Sequence, residues 1–126
     1  MTKPSLAVSL YLLNGSILLT HEIDSAYWKE WQLFGLGGGI QAFLGINFLM
    51  ALAILVGLDQ LVKGKRAGHV FSFVLAASGI LAFALHTYFL CQGRPEFSLP
   101  ASKIVLGATL AVSPVQAWFA YRGLRR

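Results

Sequence analysis

Four apolar runs free of Lys, Arg, Asp and Glu alternate with short polar stretches along the chain. Leu6–Thr20 supplies fifteen such residues, Leu33–Leu58 twenty-six, Val70–Cys91 twenty-two and Ile104–Tyr121 eighteen. A bilayer hydrocarbon core of ~30 Å takes about 20 helical residues, so each run is read as one crossing. The pattern predicts an all-α, four-span transmembrane up-down helical bundle forming a single domain over 1–126. The spans fall at approximately 5–25, 33–58, 69–91 and 103–121. Short connections favour antiparallel neighbours. The residues after the first run, Leu19-Thr20-His21-Glu22, show no small-x-small cleavage pattern, so that run is expected to stay as a span.

Composition supports the class. Hydrophobic residues make up 56% and charged residues 12% of the 126, against about 25% charged in soluble domains. So small a soluble domain has no interior for that much apolar surface. The single cysteine, Cys91, excludes an intrachain disulfide, a CxxC redox pair and a thiolate zinc site. The net charge of +5 is carried in loops beside apolar spans, where it orients a protein in a bilayer, and nucleic-acid binding is discarded. Seven basic residues share one side (Lys3, Lys63, Lys65, Arg66, Arg122, Arg125, Arg126). Lys29, Arg94 and Lys103 lie on the other. The positive-inside rule then places both termini in the cytoplasm, with a bacterial inner membrane as the expected location.

That orientation sorts the chemistry as well. Glu22, Asp24, Glu30 and Glu96 fall on the outer side with His21 and His86, while Asp59 and His69 fall on the inner side. Fifteen apolar residues rise only ~23 Å, so either the bilayer thins or the first helix continues and carries His21 and Glu22 into the outer hydrocarbon boundary. His86 reaches a similar depth on the third span. Ionisable groups at such depth face the bundle interior and find partners. In a helix His21 and Asp24 share a face, whereas Glu22 points about 100° away. Two histidines among carboxylates suit zinc, iron or manganese better than copper(I). The candidate ligands are therefore His21, Asp24, His86, Glu22, Glu30 and Glu96. The competing reading is a hydrogen-bonded structural network near the interface. Gly35 and Gly39, at the start of the second run, have the small-xxx-small spacing that lets helices approach closely. Asn14, Ser16 and Asn47 are expected to hydrogen-bond between helices, and Pro114 to kink the last span.

Three stretches together carry a resemblance: Leu-Leu-Thr-His-Glu-Ile-Asp (18–24) with Glu30-Trp31, then His86, then Pro-Glu-Phe-Ser (95–98) with Ser102. The chain resembles a group of small bacterial four-helix membrane proteins with a His-Glu-Leu/Ile-Asp, Glu-Trp, late-His and Glu-Phe signature. The resemblance implies that His21, Glu22, Asp24, Glu30, Trp31, His86 and Glu96 belong together, and it brings no established activity. A looser similarity links the pattern to membrane metal-dependent hydrolases that place His and Asp near one membrane face.

The leading functional expectation is a metal-binding membrane protein with a site at the outer end of the bundle, which leaves a metal-dependent enzyme open. The alternative is a non-catalytic accessory or assembly subunit of a larger membrane complex, with other subunits or a second copy as partners besides lipid. Haem or a pigment on His21 or His86 ranks lower, because a porphyrin face does not call for carboxylates. A small multidrug exporter ranks lower still, since no acid lies within the first span.

Overall fold

The computed structural model describes residues 5–126. Five helices account for most of them: α1 (Leu6–Tyr27), α2 (Glu30–Leu33), α3 (Gly39–Val62), α4 (Arg66–Cys91) and α5 (Pro100–Leu124). No strand occurs among the described residues. The four long helices have 22, 24, 26 and 25 residues. At 1.5 Å per residue they run ~33–39 Å, more than a hydrocarbon core requires. All four are long and apolar enough to cross a membrane, which points to an integral membrane protein.

They pack as a bundle. The broadest contact is α4 on α5, followed by α4 on α3 and α1 on α5, whereas α3 and α5 do not touch. Viewed down the bundle, α1 and α4 therefore occupy the short diagonal and bring their inner faces together.

The arrangement of polarity inverts that of a soluble protein. The buried positions recur at intervals of three and four residues: Asn14, Leu18, His21 and Ser25 on α1; Ser72, Leu75, Gly79 and His86 on α4; Ser102, Leu106, Thr109, Ser113 and Gln116 on α5. Many of these are small or polar. The large apolar side chains point outward instead, among them Leu44, Phe48, Leu49 and Leu55 on α3. Lipid tails solvate such a surface as well as a protein core does, so close packing and interhelical hydrogen bonds hold the helices together. A side chain at Gly79 would run into Ser113, which is how α4 and α5 come so close. The most lipid-directed helix is α3, where 11% of the apolar window is buried against 28% in each of the others.

Two helix boundaries matter for the site. First, α1 does continue, carrying His21, Glu22, Asp24 and Ser25 inside one helix. Second, the second long helix starts at Gly39 rather than near residue 33. Gly35, Gly38 and Gly39 all have positive φ, at 65°, 86° and 56°. Side chains rarely adopt that backbone conformation, whereas glycine enters it freely. A Cβ at Gly35 or Gly39 would meet nothing within 4 Å, so this stretch turns the chain and is not a helix-packing surface. By ending α2 early it lets residues 30–34 fold back toward α4.

Of the polar span residues, Asn14 reaches across the bundle, donating to Ser113 Oγ at 3.0 Å and Gln116 Oε1 at 2.6 Å. Ser16 and Asn47 bond instead to carbonyls of their own helices, Leu12 and Phe43. Helix α5 passes through Pro114 as one element.

Candidate functional site

At the end of the bundle where α1 and α4 finish, two imidazoles face each other. His21 is 1% exposed and His86 2%. Their ring centroids are 4.7 Å apart and nearly perpendicular. Between α1 and α2, Lys29 adopts a left-handed backbone with φ 52°. That sharp turn sends the chain back over the bundle, so Glu30, the first residue of α2, reaches His86 with Oε1 3.1 Å from Nε2. One donor atom each from His21, Glu30 and His86 lies within 4.8 Å of the others, close enough for the three to hold a metal ion.

The hydrogen bonds around the site are incomplete in an informative way. His86 Nδ1 lies 2.6 Å from the Ala82 carbonyl, to which it donates. In a neutral ring the proton is thereby fixed on Nδ1, leaving a lone pair on Nε2. That lone pair stands against a carboxylate oxygen and makes no hydrogen bond. His21 Nδ1 and Asp24 Oδ2 are likewise buried without a partner. Ser25 Oγ sits 3.5 Å from His21 Nε2, one helical turn along. Buried polar atoms are nearly always partnered, and orphans cost about 1–3 kcal/mol each. Three such atoms lie near one end of the bundle: His86 Nε2, His21 Nδ1 and Asp24 Oδ2.

The other expected ligands separate into two groups. Glu22 and Asp24 stay near the cluster without joining the three-donor set. Glu22 lines a hollow of about 160 Å³ shared with His21, Glu30 and His86. An adjoining hollow of about 180 Å³ is also bordered by Glu22 and Glu30, and it extends to Trp31, Phe43 and Asn47. Glu96 stands outside the three-donor set: its two oxygens take hydrogen bonds from Arg94 at 2.8 and 3.2 Å. That pairing holds its carboxyl below the usual value and occupies it away from the histidines.

The residue beside Glu96 closes the site. Phe97 is 1% exposed. Its ring lies 4.1 Å from that of His86 and 5.5 Å from that of His21. It achieves this with φ 63°, a left-handed conformation that costs a side-chain-bearing residue ~1–2 kcal/mol. Trp28 packs on Phe97 and donates through Nε1 to Ser102 Oγ at 3.3 Å, tying the end of α1 to the start of α5. Phe34 approaches His86 from the α2 side. The imidazoles are thus enclosed by aromatic rings that offer them no hydrogen bond. Nothing in the residue pattern singles out Phe97, although it belongs to the same Pro-Glu-Phe-Ser stretch that drew attention to Glu96.

The fold and this cluster define a small four-helix protein of membrane-spanning type with a buried His/Glu/His group at one end. Residues 7–123 match the model of DUF6713, a family of unknown function, and the chain belongs to it. No curated protein and no solved structure matches the chain.

Proposed function

We propose that the protein binds one divalent metal ion through His21, Glu30 and His86, at the outer end of a bundle whose termini lie in the cytoplasm. The observation that carries the reading is the unpartnered lone pair of His86 Nε2 facing Glu30, with His21 Nδ1 unpartnered beside it. A proton on His86 would answer Glu30 but leave His21 as it is. A divalent ion answers all three groups at once. The bond from His86 Nδ1 to the Ala82 carbonyl is the usual outer support of a metal-ligating imidazole.

Two nitrogens and one carboxylate suit zinc, iron(II) or manganese, and a three-ligand set leaves positions open for water or substrate. A hollow of about 160 Å³ falls below the ~300 Å³ lower end of ligand pockets, which favours an ion over a porphyrin. An ion held there supplies Lewis-acid chemistry. Glu22, half-buried in both hollows beside the cluster, is placed to hold or pass a proton for a molecule lying in them. Asp24, with one buried oxygen unpartnered, shares the helix face of His21.

Titration of metal-depleted protein with cobalt(II) in detergent tests the proposal. Saturable visible absorption bands at one equivalent are expected in the wild type and absent in His21→Ala, Glu30→Gln and His86→Ala. Wild-type protein that is folded yet silent to cobalt would leave the cluster as a structural ion pair and turn attention to a partner-subunit role.

A further inference from the structure

At the other end of the bundle lies a second hollow, far larger and of opposite character. It encloses about 580 Å³ between the start of α4 and the end of α5 and is lined by Arg66, His69, Phe119, Arg122, Gly123 and Arg126, among others. That volume lies within the ~300–1,000 Å³ range of small-molecule sites. None of the three arginines meets a carboxylate among the described residues. Asp59, the acidic side chain of this end, is held by Lys63 at 2.7 Å. His69 stands against Gly123, where any side chain would collide with its ring, and its Nδ1 is buried without a partner. Among the described residues, the hollow is thus lined by three arginines and an imidazole and by no Asp or Glu side chain.

We infer that this hollow is a binding site for a phosphate group, held by Arg66 and Arg122 with Arg126 at its edge. Guanidinium forks match phosphate oxygens in pairs, which makes arginine the preferred residue for such recognition. The position fits as well. Helices ~36–39 Å long outrun the hydrocarbon, so their ends lie at the level of the headgroups. Basic pockets between helices at that level take anionic lipid headgroups, and the same chemistry accepts a free phosphate. The inference is independent of the metal site, which sits at the opposite end.

Two readouts on the full chain distinguish the sources. In the first, protein is reconstituted in mixed phosphatidylcholine and phosphatidylglycerol, released into mild detergent, and its retained lipid weighed by mass spectrometry. In the second, phosphorus NMR follows the line width of inorganic phosphate added to delipidated protein. Selective retention of phosphatidylglycerol identifies a lipid headgroup site, and broadening of the phosphate line a free-phosphate site. Either response should weaken with added salt, and should fall about 30-fold in affinity in Arg66→Gln/Arg122→Gln, at roughly 1 kcal/mol per arginine. Lys29→Gln/Lys103→Gln removes the same charge from the other end and should leave both responses unchanged. Wild-type protein showing neither selectivity nor broadening overturns the inference, as does an equal loss in the two double variants.

Discussion

Two buried polar clusters share the interior of this bundle and differ in how they are satisfied. In the middle, Asn14 donates to Ser113 and Gln116, and Gln116 passes a hydrogen bond on to Ser72 at 3.0 Å. The chain of amides and hydroxyls crosses three helices and leaves only Asn14 Oδ1 without a donor. None of its members carries a charge. At the end where α1 and α4 finish, ionisable groups replace amides: two imidazoles, a carboxylate beside them and aromatic walls that donate nothing. The middle cluster makes its own partners and acts as glue between α1, α4 and α5. The other leaves His86 Nε2, His21 Nδ1 and Asp24 Oδ2 without partners, and donors of His21, Glu30 and His86 lie close enough together to hold a metal ion. Burial alone therefore does not mark a site in such a protein. The distinction lies in whether the buried groups can satisfy one another.

The largest effects are expected at His21 and His86. His86→Ala or His21→Ala should lower metal affinity by at least ~100-fold, since even groups outside the ligand shell commonly contribute 10–100-fold. A chelator competition against a chromogenic indicator measures it. Opening the aromatic lid comes next: Phe97→Ala should speed metal release to chelator on the order of 10-fold while leaving one equivalent bound. Retention of the wild-type release rate would show that Phe97 does not control access. Asn14→Leu addresses the other cluster. It should destabilise the bundle by ~0.6–1.7 kcal/mol, the range measured for interhelical hydrogen bonds in a membrane protein, with no change in metal content. Unfolding in a mixed-detergent series reports that difference. Glu96→Gln should have the smallest effect. Because Arg94 holds its carboxyl below the ordinary value, the pairing is complete near neutral pH and is lost only as pH falls through that lowered value. Metal affinity should stay within ~2-fold of wild type, as expected for an exposed ion pair. A larger fall would bring Glu96 back among the ligands.

Much of the architecture was legible from the residues, because backbone groups in lipid must bond within their own helix and each run has to be about as long as the membrane is thick. That His21, Glu22, Glu30 and His86 gather at one end of the bundle could likewise be read from spacing and depth, in a set that also held Asp24 and Glu96. Three features could not. The glycine stretch at 35–39 looks like a helix-packing motif, and only the positive φ angles show that it is a turn delivering residues 30–34 to α4. The exclusion of Glu96 from the three-donor set and the inward course of Phe97 depend on a loop without periodicity, where neighbouring residues can face opposite ways. The selection of Glu30 over Asp24 and Glu22 as the third donor depends on the left-handed backbone of Lys29, a conformation uncommon for lysine. In each case a single backbone choice outside the long helices decides which side chain meets the histidines.

The most direct test is elemental analysis of the folded protein purified in mild detergent, with His21→Ala, Glu30→Gln, His86→Ala and Asn14→Leu prepared in parallel. Close to one equivalent of zinc, iron or manganese is expected in the wild type and in Asn14→Leu, with its loss from the other three variants. A folded wild type that neither carries metal nor takes it up, or equal metal in all five proteins, would contradict the claim that His21, Glu30 and His86 form a metal centre.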